Sequence, residues 1–273
     1  MIAKYNFSLV VLLLTLSTPA WAQTPAVPPP SAPALSPSPT AIPSTTGGIG
    51  LQKGQPIKIM PMGDSITEGK FTTGGYRKPL YKLLKDDGFD VSFVGKEDNG
   101  EVANATGFST GMESPNHEGY GSARVGMLLK GGTVEKHTAL PIQTTLANNN
   151  PDVVLIMLGT NDMFGGATAD QIAATLQQLV DAIYKQNSAI TVVLASIPPM
   201  LKVPAKVDAY NALIPGIVDK EKALNHKIAF ADIHSVFGPT DMSKDKVHPN
   251  QAGYDKMAAL WYSVLTGDSA PTH

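Results

Sequence analysis

Val153-Val154-Leu155-Ile156-Met157-Leu158 is an unbroken apolar run of strand length, closed by Gly159-Thr160-Asn161-Asp162. A strand with one wet face alternates apolar and polar residues, whereas a run without alternation suits a parallel strand covered on both faces. Further apolar runs lie at 57–62, 91–94, 190–195 and 228–232. Helical patterns separate them, at 76–87, 168–187, 207–224 and 250–265. The second of these is the clearest. Thr168 and Gln171 have capping-box spacing, and Ile172, Leu176, Leu179, Val180 and Ile183 fall on one stripe. The stretch 96–116 is polar and Gly-rich and reads as loop. Strands alternating with helices predict an α/β fold, a parallel sheet with helices on both faces. Sites in such sheets lie beyond the carboxyl ends of the strands.

Upstream of the first strand the composition changes twice. Residues 1–22 carry Lys4, a short apolar run at 7–16 and the small residues of Ala20-Trp21-Ala22. This is the three-part pattern of a secretory signal cleaved after Ala22, and it predicts export to the periplasm or beyond. The run is well short of the ~20 residues that a membrane span needs, and no later segment is apolar and long enough to cross. Residues 23–50 are rich in Pro, Ser, Thr and Ala and read as an extended linker. The folded domain is expected over 51–268. Across the 273 residues, 42% are hydrophobic and 16% charged, and the formal net charge is −2. With no run of Lys and Arg, a nucleic-acid partner is not expected. The absence of cysteine excludes a disulfide framework, a thiolate zinc site and a cysteine nucleophile.

The residues with chemical potential stand where strands end and helices begin. Gly63-Asp64-Ser65-Ile66-Thr67 follows the first strand directly. A serine hydroxyl is a weak nucleophile and needs a base. His248 sits in Asp245-Lys246-Val247-His248-Pro249, just before the last helix. A carboxylate three residues ahead can reach back to the imidazole Nδ1, leaving Nε2 to take a serine proton. Asn161, at the end of the strongest strand, carries a side-chain NH2 that suits a developing oxyanion. Each motif alone has an ordinary structural reading as a turn or a helix cap; the conjunction of the three points to nucleophilic catalysis. Asp64 and Asp162 are expected to brace their own turns. Asp241 is an alternative carboxylate for the imidazole. His234 ends a strand without the Asp-x-x-His spacing.

Gly-Asp-Ser near the start, Gly-Thr-Asn-Asp mid-chain and Asp-x-x-His-Pro near the end resemble, in order, three sequence blocks of the SGNH (GDSL-type) hydrolase superfamily. The resemblance implies a flavodoxin-like three-layer α/β/α domain with a central parallel sheet of about five strands. It implies Ser65, His248 and Asp245 as a catalytic triad. It also implies an oxyanion hole from the amide of Ser65, the side chain of Asn161 and an amide of His117-Glu118-Gly119-Tyr120-Gly121-Ser122, with Gly121 or Ser122 as donor. Gly74-Gly75-Tyr76-Arg77, Phe93-Val94-Gly95 and His117-Glu118-Gly119 further resemble carbohydrate esterase family 3, which includes acetyl xylan esterases. Arg77 then has two readings, one tied to that subfamily and one as a local pairing at a helix start. His117 either lines the substrate cleft or is a loop histidine satisfied by hydrogen bonds.

The implied activity is hydrolysis of small acyl esters, such as O-acetyl groups on a polysaccharide, with no metal or organic cofactor. Two alternatives share the sequence: a lysophospholipase or thioesterase with the same triad, and a non-catalytic carbohydrate-binding protein on the same scaffold.

Overall fold

A computed structural model describes residues 48–98 and 112–271. The expected signal, 1–22, and the expected linker up to residue 47 lie outside the described residues. The strands are β1 (Ile57–Gly63), β2 (Val91–Phe93), β3 (Glu118–Gly119), β4 (Gly131–Val134), β5 (His137–Pro141), β6 (Val153–Met157), β7 (Thr191–Ala195) and β8 (Ile228–Ala231). The helices are α1 (Ser65–Glu68), α2 (Arg77–Asp86), α3 (Val125–Lys130), α4 (Ile142–Asn149), α5 (Thr160–Phe164), α6 (Ala169–Gln186), α7 (Pro204–Asn211), α8 (Ile214–Ala223) and α9 (Gln251–Thr266).

The central sheet runs β2-β1-β6-β7-β8, every pairing parallel. The five strands are those expected from the apolar runs, each shifted by no more than a residue or two. Every side chain of β6 is buried, as its unbroken apolar sequence requires. The short β3 extends the edge of β1. Residues 57 to 59 of β1 pair with β2, whereas Met62 and Gly63 pair with Glu118 and Gly119 of β3. The order places β2 on one side of β1 and the later strands on the other. Right-handed crossovers therefore put the connecting helices on opposite faces of the sheet. On one face α2 packs against α9; on the other, α6 packs with α3, α4 and α7. The order in which strands are added reverses between β1 and β6, the place where such sheets leave a crevice beyond the strand ends.

Helix α6 has the capping box expected of Thr168 and Gln171, with both reciprocal hydrogen bonds present. Its stripe from Ile172 to Ile183 is buried against the sheet. The single helix expected over 207–224 is instead two. Pro215 lies in the first turn of α8, where its missing N–H costs nothing; one residue into a continuous helix it would remove a backbone bond. The segment 117–150 holds structure that periodicity did not show. Besides β3, α3 and α4 it forms the antiparallel hairpin β4–β5, turning at Glu135 and Lys136. At the far end of the domain the amides of Ile49 and Leu51 donate to the carbonyls of Val264 and Leu265, each at 2.9 Å.

The tightest passage is at Gly63. A Cβ there would stand 2.2 Å from Thr67 Oγ1 and 2.7 Å from the Met157 carbonyl oxygen of β6. Nothing larger than hydrogen fits between β6 and the first turn of α1. Gly63→Ala is expected to cost about 3 kcal/mol through overpacking, a fall of roughly 6–12 °C in the thermal midpoint of a domain this size. Calorimetry or thermal circular dichroism checks it, and an unchanged midpoint would mean that the passage is not tight.

Candidate active site

Ser65 is the first residue of α1, immediately beyond β1. Asp64 caps that helix by accepting the Ile66 amide at 2.9 Å. Serine thus meets the crevice from a strand–turn–helix junction, with its hydroxyl buried beside the imidazole of His248. Ser65 Oγ lies 2.7 Å from His248 Nε2, although 183 residues separate them in sequence. On the other side of the ring, Nδ1 lies 2.6 Å from Asp245 Oδ2. The second oxygen of Asp245 accepts the amides of Val247 and His248, both at 3.0 Å. With Nδ1–H donated to the carboxylate, Nε2 is left as the acceptor for the serine proton.

The loop carrying Asp245 and His248 is folded upon itself. The Ser243 amide donates to the His248 carbonyl at 2.7 Å, and the Asn250 amide to the Asp241 carbonyl at 2.9 Å. Lys246 adopts φ of +62°, the left-handed turn that lets the carboxylate of Asp245 face the amides behind it. Burial alone would raise the Asp245 pKa. The hydrogen bond from the His248 ring and the two amides outweigh it and hold the carboxyl below the usual carboxylate range. The acid is therefore ionised beside the imidazole at neutral pH. Asp241, the alternative carboxylate, is bonded instead to Lys256 Nζ at 2.6 Å and to the Gly238 amide. His234 is bound to Asn211 and the Ile197 carbonyl.

Asn161 is the second residue of α5, just beyond β6. One N–H of its side-chain amide is fixed by the Ala123 carbonyl at 2.9 Å. Gly159 starts this helix with φ of +127° beneath Tyr210, whose ring would come within 2.6 Å of a Cβ there. The Tyr210 hydroxyl holds the Leu158 carbonyl at 2.7 Å. The loop 120–124, after β3, brings Gly121 and Ser122 to the same edge. Among the described residues no backbone acceptor takes the amide of either, nor that of Ser65. Ser122 has φ of +61°, and its hydroxyl donates to Glu135 at the hairpin turn, at 2.6 Å.

Several supporting residues were placed by sequence but not assigned their work. Arg77 is fully buried. Its Nε donates to the Thr67 carbonyl at 2.9 Å and its Nη2 to the Glu68 carbonyl at 3.2 Å, with Pro115 taking Nη1. The guanidinium thus clamps the last turn of α1 from below, which replaces the reading of a local pairing at a helix start. Tyr76 adds a hydroxyl 3.3 Å from Thr67 Oγ1. His117 is fully buried, and its Nδ1 accepts the Gly119 amide at 3.0 Å. Burial, with the Arg77 charge second, pushes its pKa well down, so it is a neutral structural ring rather than a cleft wall. Asp162 braces a neighbour as well as its own turn: Oδ2 accepts the Val125 amide at the start of α3, at 3.2 Å, and the carboxylate also meets its own backbone amide. The β4–β5 hairpin contributes His137, whose Nε2 would lie 3.2 Å from a Cβ on Gly121. Nothing in the local sequence pattern signalled that contact.

A serine, an imidazole and a carboxylate thus stand linked in series at the switch point of a parallel α/β/α sheet, an arrangement with the chemical means for nucleophilic catalysis. Comparison with known proteins gives the family. The chain belongs to the GDSL-like Lipase/Acylhydrolase family, whose model matches residues 62–256. It is 32% identical over 223 residues to a multidomain esterase of Ruminococcus flavefaciens, covering 77% of this chain and 28% of that one. The chain thus spans little more than a quarter of that relative. Among solved structures it is similar to a family 3 carbohydrate esterase of Clostridium thermocellum, with 31% identity, a TM-score of 0.64, and coverage of 77% of this chain and 94% of the other. An acetyl esterase mutant solved with an acetate ion shows 26% identity, a TM-score of 0.63, and coverage of 76% and 94%.

Asp64 carries an electrostatic consequence. Its Oδ2 is buried without a hydrogen-bond partner. Burial outweighs the Ile66 amide and the Thr160 hydroxyl and raises its pKa to about 7. A carboxyl with a raised folded pKa binds its proton more tightly in the native state. Its contribution is whole below the ordinary value near 4 and is lost as pH rises to about 7. Asp64→Asn keeps an acceptor for Ile66 and removes the titration. The thermal midpoint of the variant is expected to gain on wild type between pH 5 and pH 8. Parallel curves across that range would show that Asp64 does not titrate there.

Proposed function

We propose that this protein is a serine esterase that removes small acyl groups, acetyl above all, from esterified sugars of a polysaccharide such as acetylated xylan. The carrying observation is the linked series Ser65 Oγ, His248 and Asp245, with contacts of 2.7 and 2.6 Å. Support for the acetyl and sugar classes comes from the similar structures, a family 3 carbohydrate esterase and an acetyl esterase. The export signal expected at 1–22 fits a polymer met outside the cytoplasm.

In the first half-reaction His248 Nε2 takes the Ser65 proton as Oγ attacks the ester carbonyl. Negative charge gathers on the carbonyl oxygen. The Ser65 amide, the Asn161 side chain and an amide of the 121–122 pair are the donors that receive it. As the tetrahedral species collapses, the C–O bond to the sugar breaks and His248 returns the proton to the departing alcohol. In the second half-reaction water attacks the acyl-serine by the same route. The carboxylic acid leaves and Ser65 recovers its proton. Asp245, ionised and bonded to Nδ1, holds the ring orientation and stabilises the imidazolium that forms twice in each cycle. The pre-fixed amide of Asn161 matters because a donor already aimed needs no reorganisation when charge develops.

Initial rates on 4-nitrophenyl acetate, butyrate and octanoate test the reading. Turnover is expected to fall with chain length. Ser65→Ala is expected to lose about 10⁴-fold or more in kcat while keeping the thermal midpoint. Rates that rise toward octanoate would keep the serine chemistry and transfer the substrate to lipids or thioesters. No turnover by folded wild type would leave a carbohydrate-binding protein. Asn161→Ala is expected to lower kcat about 10²–10³-fold with little change in KM, as befits a contact made mainly in the transition state. A loss confined to KM would remove Asn161 from the oxyanion site.

A further inference from the structure

Four large hydrophobic side chains are exposed among the described residues: Phe71, Phe164, Leu201 and Leu224. The first three follow the carboxyl ends of β1, β6 and β7, on the edge where Ser65 and Asn161 stand. Phe71 is the one that touches the relay. Its ring centroid lies 5.3 Å from that of His248, the planes at 84°. The ring is 63% exposed, so this contact leaves most of its surface open. It also lines a cavity of about 530 Å³ beside Met242, Ser243, Lys244, Asp245 and Asn250.

The backbone at Phe71 is unusual. Its φ is +69°, a left-handed conformation that a bulky aromatic residue rarely adopts and that costs of order 1–3 kcal/mol. The surrounding chain holds it there. The Ser65 carbonyl accepts the amides of both Gly69 and Lys70, and the Tyr254 hydroxyl donates to the Lys70 carbonyl at 3.3 Å. A strained backbone that presents an apolar ring to water, next to the reacting groups, gains nothing for the fold. It is the pattern of a side chain kept for a ligand.

The chemistry says which part of the ligand. His248 Nε2 must reach the oxygen of the leaving alcohol to protonate it. The alcohol therefore departs on the imidazole side of Ser65, away from the donors around Asn161. The large exposed apolar surface in contact with that imidazole is Phe71. We propose that Phe71 is the platform for the leaving alcohol, and that it stacks on the apolar C–H face of the sugar ring carrying the ester. This rests on the esterase reading above. It makes Phe71 a specificity residue for sugar esters over esters of small alcohols.

The test compares wild type and Phe71→Gly on two substrates, acetylated xylo-oligosaccharide and methyl acetate. Glycine suits φ of +69°, so the variant is expected to fold at least as stably. The expected result is a loss in kcat/KM about fivefold greater for the oligosaccharide than for methyl acetate, carried in KM. Aryl esters are avoided, because an aromatic leaving group would stack on the same ring. Equal losses on both substrates, carried in kcat, would overturn the proposal and make Phe71 a residue that positions His248. No loss on either would overturn it too. If wild type hydrolyses methyl acetate but no acetylated sugar, the sugar reading falls and the platform falls with it. If wild type hydrolyses both and the variant loses both equally, the platform alone falls.

Discussion

The parallel pairing of β1 with β6 is the constraint on which the site rests. Its register sets Gly63 opposite Met157, so the two strands end level and their next residues emerge side by side. Ser65 and Asn161 are thus brought together by backbone hydrogen bonds in the least exposed part of the sheet. The glycine at the end of β1 lets the strands close to that distance, and the turn beyond it is shaped by the same contact. Because both strands are buried on both faces, a one-residue slip in register would send every side chain into the opposite helical layer and undo its packing. Core packing and active-site geometry are in this sense one requirement.

The contribution of His248 is of a different kind. It arrives from a loop near the other end of the chain, and no strand aligns it. Local bonds substitute: a carboxylate that accepts two amides of its own turn, a left-handed Lys246, and a helix start immediately beyond. The turn is pre-shaped, so closing the 2.7 Å contact to Ser65 costs little extra ordering. Around the serine the support comes from beneath. Arg77, buried, donates to two carbonyls of α1 and so ties down the turn that carries the serine.

Much of this was legible in the chain. The five main strands announced themselves because a parallel sheet covered on both faces needs unbroken apolar runs, and 153–158 is the plainest. Ser65, Asn161, Asp245 and His248 were found because each stands at a junction between elements, where polar residues without a packing role attract notice. The 117–150 region resisted for the opposite reason. Its elements are two to eight residues long, too short for a period to emerge, and its hairpin is fixed by tertiary contacts such as Ser122 with Glu135. The role of Arg77 was hidden because an arginine at a helix start looks like surface charge until a third segment, here Pro115, covers it. The break between α7 and α8 was readable, since Pro215 sits in the middle of the run taken as one helix. Asp162 named its own turn in sequence and serves α3 as well in space, an addition that only the fold can show.

The hydrogen bonds from Ile49 and Leu51 to the last turn of α9 have a mechanical meaning. They make the described domain a loop of chain whose two ends meet, on the last turn of a helix whose first turn stands beside His248. Tension applied to either end is taken up first in that clasp, as a load on two backbone bonds beside each other. The bonds at risk lie at the carboxyl end of α9, and Asn250 and His248 lie at its amino end. A body so fastened can be strung between other bodies, or have its ends joined and be reopened elsewhere, without first disturbing the place where its chemistry is assembled.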